Sequence, residues 1–144
     1  MHEQTCLSLG DAQRILGAIQ VELERRGKGA AIAVADEHGE LMAFARTDGC
    51  SLPSIEIAMN KAFTAARERK PSRAVGAASR GEGFPMTNFG SLRYVGWGGG
   101  VPIVHDGRVV GAVGVSGLPE DEDVALAEVG VQALRDGDGA DRPD

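Results

Sequence analysis

Cysteine is nearly absent from the 144-residue chain: Cys6 and Cys50 stand alone, far apart and without a C-x-x-C pair. Neither a zinc site nor a disulfide framework can be built from them. Aromatics make up 4% of residues and the net charge is −6. A nucleic-acid-binding domain needs a concentrated basic face, so that class is excluded. The one basic stretch, Arg67, Arg69, Lys70, Arg73 and Arg80, reads as a solvated helix end. No apolar run approaches the ~20 residues that cross a bilayer, which excludes a membrane-spanning chain. The first residues also lack a basic segment followed by an apolar stretch, because Ser8, Asp11, Gln13 and Arg14 punctuate Leu7 to Ile19. This pattern predicts a cytoplasmic protein.

Glycine, by contrast, is abundant, 21 residues where ~7% is usual, and it sits among Val, Ala and Ile without a collagen period. That composition describes one tightly turned globular domain. From residue 119 onward nine acids face two bases, whereas the preceding 118 residues carry 13 bases and 12 acids. The acidity is therefore concentrated at the C-terminal end, and residues 136–144 are expected to form a disordered acidic tail.

Ser8 and Asp11 have capping-box spacing, and Ala12, Leu16, Ile19 and Leu23 follow at helical intervals as far as Gly27. An apolar run at 30–35, a turn at Asp36-Glu37-His38-Gly39 and a second run at 40–47 predict a β-hairpin. Pro53, then Ile55, Met59, Ala62 and Ala66, predict a second helix closed by Pro71. Residues 72–100 are broken by glycines and read mostly as loop, with room for a short helix at 73–78. A second hairpin follows, 101–104 and 108–116 about His105-Asp106-Gly107. Its last strand is apolar on both sides, Val109, Val113 and Val115 against Val110 and Ala112, so helices should cover both faces. A final helix begins with Glu120 to Asp123, acids that suit its positive dipole end. Its narrow polar stripe of Glu128, Gln132 and Arg135 calls for burial on more than one side and suggests a partner subunit. The fold class is thus α+β with a mostly antiparallel sheet, not a doubly wound Rossmann arrangement.

Several residues carry candidate chemistry. Gly98, Gly99 and Gly100 follow Trp97, and this segment either crosses over into a strand or backs a flat ligand or anion beside an exposed indole. Arg46 and Asp48 end the second strand, while Glu56, Asn60 and Thr64 share a stripe of the second helix with Lys61 one position off it. Lys61 lies in an apolar run, where desolvation would suit it to proton transfer, or else it pairs with Glu56 or Asp48. Arg46 could clamp a ligand carboxylate, or it could pair with Asp48 or Asp36. Leu118 stands where a nucleophile elbow needs glycine, which disfavours a serine hydrolase. His38 and His105 fall in hairpin turns, and no metal site is predicted.

Read together, Val34 to Leu41, Arg46-Thr47-Asp48-Gly49, Ser54 to Ala65, Gly98 to Ile103 and Asp106 to Gly117 resemble the GlcG/HbpS family over residues 7–135. That family includes the C-terminal domain of PduO-type cobalamin adenosyltransferases. The resemblance implies a single domain with a five-stranded antiparallel sheet flanked by helices, a profilin-like layout, in an often oligomeric protein. It also implies a small-molecule ligand, with haem or another tetrapyrrole as the candidate cofactor. Family members with a histidine haem ligand place it on the first helix, where this chain has Gln20, Glu22 and Glu24. The alternative it leaves open is an enzyme of a catabolic cluster, an isomerase, tautomerase or hydrolase acting on a carboxylated intermediate. Lys61 and Glu56 would be catalytic only in that enzyme, whereas Arg46, Asp48, Asn60, Thr64, Trp97 and Gly98 to Gly100 are the expected ligand-binding residues under either reading.

Overall fold

The structure is a computed structural model that describes residues 1–140. Ser8 and Asp11 close the expected capping box at the start of helix α1 (Leu9–Arg26): Asp11 N donates to Ser8 Oγ at 3.0 Å, and Ser8 N to Asp11 Oδ2 at 2.9 Å. Gly27, at φ 66°, ends the helix in the left-handed conformation that glycine adopts without penalty. Strands β1 (Ala31–Asp36) and β2 (Leu41–Arg46) form the first hairpin, and Asp36 Oδ1 organises its turn by accepting from the amides of His38 and Glu40. Helix α2 (Ser54–Glu68) and helix α3 (Ser72–Gly81) follow. Strands β3 (Gly100–His105) and β4 (Arg108–Ser116) make the second hairpin, and Asp106 and Gly107 both have positive φ, as a type I′ turn requires. Helix α4 (Glu120–Ala140) closes the fold.

The sheet is antiparallel in the order β2-β1-β4-β3. It has four strands among the described residues, which corrects the expected five. The segment between α3 and β3 carries Gly83, Pro85, Gly90 and Gly96, and it forms one 3₁₀ turn and loops whose Met86 and Val95 amides donate to α3 and α2, so no strand forms within it. Alternation along β1 separates two cores. Ile32 and Val34 join Ile15, Ile19, Val113, Val115 and Leu126 beneath α1 and α4, while Ala31, Ala33 and Ala35 meet Ala58 and Ala62 of α2. The second face is lined with alanine and glycine so that α2 can lie against the strands. A Cβ on Gly114 would run into the Ala58 carbonyl.

A bulge opposite Ile103 and Val104 makes Val110 the extra residue of β4, which turns it to the same core as Val113 and Val115. Strict alternation had placed it on the opposite side. The apolar sides of α4 are met within the chain, by α1 and by the sheet. α4 runs to Ala140, across the first residues of the expected tail, and Gln132 Nε2 donates to Asp136 Oδ1 at 2.8 Å. The remainder of the expected tail, 141–144, lies outside the described residues. No helix among those described is long and apolar enough to cross a membrane.

Candidate functional site

The sheet and α2 converge on Lys61, whose side chain is 3% exposed. α2 packs its alanine face on the strands, and the Lys61 ammonium reaches the end of β4. There Lys61 Nζ donates to the Val115 carbonyl at 2.9 Å and to Asp123 Oδ2 at 3.1 Å. Asp123, 4% exposed, sits in the first turn of α4, and its other oxygen accepts from Leu118 N at 3.1 Å. The pair is thus satisfied on both sides, as buried charges must be. Burial pushes the Lys61 ammonium below the ordinary lysine value and the Asp123 carboxyl above the ordinary aspartate value, each partner's charge opposing the shift.

The glycine loop packs on this pair. Gly99, at φ 127°, lies so close that a Cβ would stand 2.9 Å from Lys61 Nζ and inside the Val115 carbonyl. Gly98 N donates to Glu120 Oε1 at 2.7 Å and Gly100 N to Ser72 Oγ at 2.9 Å. Those two amides are therefore already used, and the loop leads directly into β3. Glu120 is held below the ordinary carboxylate value by the Gly98 amide and by Arg73, whose Nε lies 3.1 Å away. Trp97 stands beside these glycines, 61% exposed. It forms the rim of an open cleft of about 290 Å³ whose lining includes Lys61, Asp123, Ser51, Ser54 and Ser116. The Ser51 and Ser54 hydroxyls are 2.7 Å apart at its α2 end.

Of the sequence-predicted residues, the structure brings together Lys61, Trp97 and Gly98 to Gly100. Thr64 supports them: its hydroxyl donates to the Asn60 carbonyl at 2.7 Å and accepts from Val95 N at 2.9 Å, which anchors the chain leading to Trp97. Asn60 Oδ1 accepts from Arg93 Nε at 3.4 Å and does not line the cleft. Arg46 and Asp48 border a separate groove with Gln20, Glu24 and Lys28, and Glu56 is exposed on the first turn of α2. The lysine therefore pairs with neither Glu56 nor Asp48. Asp123, Glu120, Ser51 and Ser54 escaped sequence reasoning; the one available signal was that a lysine in an apolar run needs a counter-charge.

Haem fits the side chains present only in part. The cleft offers an indole face and hydroxyl groups that suit the edge of a macrocycle, but no histidine, cysteine, methionine or tyrosine lines it. The lining fits the organic ring and supplies no axial ligand to iron. Among the described residues no cluster of three histidine, cysteine or acidic side chains could hold a metal ion. His38 Nε2 lies 3.2 Å from Glu37 Oε1, and His105 Nε2 lies 3.5 Å from Asp106 Oδ2.

Comparison with known proteins places this architecture. The chain is 35% identical over 122 residues to protein GlcG of Escherichia coli strain K12, covering 81% of this chain and 85% of GlcG. The crystal structure of Klebsiella pneumoniae protein ORFY superimposes with a TM-score of 0.86 at 25% identity, over 93% of this chain and 94% of that one. A double mutant of Streptomyces reticuli HbpS superimposes with a TM-score of 0.85 at 27% identity, over 93% of this chain and 90% of that one. Residues 7–132 match the family model for haem degrading protein HbpS-like. The chain belongs to the HbpS-like family.

Proposed function

We propose that this protein binds a small planar molecule in the Trp97 cleft, with a tetrapyrrole such as haem as the ligand class. The observation that carries the reading is the exposed indole of Trp97 on a cleft that the buried Lys61–Asp123 ion pair also lines. Large exposed aromatics offer contact area at little entropic cost. The name of the family it belongs to supports the ligand class. Since the lining supplies no iron ligand, the macrocycle would be held by its plane, and haemin and metal-free protoporphyrin should bind alike. Trp97 is the only tryptophan in the chain, so its fluorescence reports on this one place. Both compounds should quench it saturably, and Trp97→Ala should weaken binding, read by the porphyrin absorbance band, about tenfold, or ~1.4 kcal/mol. Non-saturable quenching, or unaltered binding by Trp97→Ala, would count against the proposal.

A second reading, an enzyme that moves a proton on a bound substrate, rests on Lys61, which lines the cleft and is pushed toward neutrality by burial. Arg46 and Glu56 take no part in it. Lys61→Met would then abolish turnover; retained turnover in a folded variant removes that role.

A further inference from the structure

The chain has three lysines, Lys28, Lys61 and Lys70, and the fold buries one of them while leaving the other two exposed. Although buried, Lys61 borders open space: it lines the Trp97 cleft together with Asp123, Glu120, Ser51, Ser54 and Ser116. An ammonium has three donors to satisfy. The Val115 carbonyl takes one at 2.9 Å and Asp123 Oδ2 another at 3.1 Å, and among the described residues no third group accepts from Nζ. A pair that served stability alone would satisfy every donor or be sealed in packing. This one keeps one position of its nitrogen unclaimed beside a cleft.

We infer that Lys61 is a nucleophile that forms an imine with the carbonyl carbon of a small uncharged aldehyde or ketone in this cleft, with Asp123 as its proton partner. The inference deepens the second reading above and rests on it for the contact between lysine and substrate. The Nζ lone pair attacks the carbonyl carbon, and the carbonyl oxygen takes the proton of the Asp123 carboxyl. The resulting carbinolamine expels that oxygen as water with a second proton drawn from nitrogen, which leaves a protonated imine beside the Asp123 carboxylate. No oxidant or reductant is consumed. Burial favours the starting state, a free amine beside a protonated carboxyl, because it pushes the Lys61 ammonium down and the Asp123 carboxyl up. Charge selects the substrate class. Glu120 is kept ionised by the Gly98 amide and Arg73, so a cleft whose lysine acts as a free amine is anionic and disfavours a keto acid. The serines are neutral partners for hydroxyl groups on the substrate.

The test is reductive trapping on the full chain near neutral pH, with dihydroxyacetone as the uncharged probe, pyruvate as the anionic one and cyanoborohydride to convert any imine into a stable secondary amine. Peptide mass mapping then locates the label in the parent protein, so no variant has to fold. Each pH unit by which an amine's value falls multiplies its neutral fraction at neutral pH by about ten. Dihydroxyacetone should therefore label Lys61 at least about tenfold faster than Lys28 and Lys70, and urea should abolish that preference. The preference should be smaller with pyruvate. Labelling of Lys61 no faster than that of Lys28 and Lys70, or a preference that persists in urea, would overturn the inference, and a larger preference with pyruvate would overturn the substrate class. Lys61→Met judges the proton-transfer reading by turnover, so the two readings fail by different measurements.

Discussion

Replacing Asp123 by Asn tests whether the buried pair holds the cleft together. The amide keeps an acceptor for Leu118 N and nearly the same volume, so what is lost is the charge opposite Lys61 and the oxygen that accepted from its ammonium. Removing one partner of a buried pair costs about 3–5 kcal/mol. The structure also sets a ceiling, because the stranded ammonium can escape by losing its proton. Bringing a lysine from its ordinary 10.5 to neutrality at ~1.4 kcal/mol per pH unit amounts to about 5 kcal/mol. For a chain of this size that loss lowers the melting temperature by roughly 10 °C or more. The pH dependence is the sharper assay. In the variant, Lys61 keeps its burial and loses the charge that opposed its downward shift, so its folded value falls further below the unfolded one. A lowered lysine contributes stability that is fully present above 10.5 and is lost as pH falls through the folded value. Urea denaturation of Asp123→Asn should therefore show stability recovering from neutral pH toward 10, more steeply than in the parent. Adding Lys61→Met should restore a good part of the loss at pH 7. A variant that loses less than ~1 kcal/mol, or whose deficit is unchanged across that pH range, would refute the electrostatic account.

Two further perturbations address the loop and the first helix. Gly99→Ala puts a methyl group into the Val115 carbonyl and against Lys61 Nζ at a φ of 127° that other residues rarely adopt. It should cost about 2 kcal/mol or more by urea denaturation and disturb the Trp97 emission, while a loss below ~0.5 kcal/mol would mean the loop relaxes freely. Glu22 is held down at about 2 by hydrogen bonds from Arg25 and Arg26. Its folded value lies below the unfolded 4.5, so its contribution is present above 4.5 and lost as pH falls through about 2. Carboxyl-carbon NMR should place its midpoint near 2, and an ordinary midpoint would show that the arginines do not hold it.

The parts of the molecule that were legible are those whose cause is local in the chain. Ser8 and Asp11 are three residues apart, and the turns at Gly39 and at Asp106-Gly107 declare themselves within four residues. The α-then-hairpin order, and helices on both faces of β4, followed from these and from apolar periodicity. The errors arise where geometry acts across the chain. At ~100° per residue, Glu56 and Lys61 lie about 140° apart around α2, so burying Lys61 against β4 turns Glu56 to solvent and dissolves the expected pair. The true partner, Asp123, is set by packing α2 and α4 on opposite faces of one strand, and nothing in the spacing of residues 61 and 123 encodes that. Acids at a helix start have an adequate local reason in the dipole, which is why Asp123 and Glu120 drew no further attention. The glycine loop was legible as unusual and ambiguous in role. Only the fold shows its partners, Glu120 for one amide and Ser72 for another. What the loop fixes is thus the position of Trp97 on the cleft that Lys61 also lines, a consequence of small residues that let two backbones and one ammonium meet.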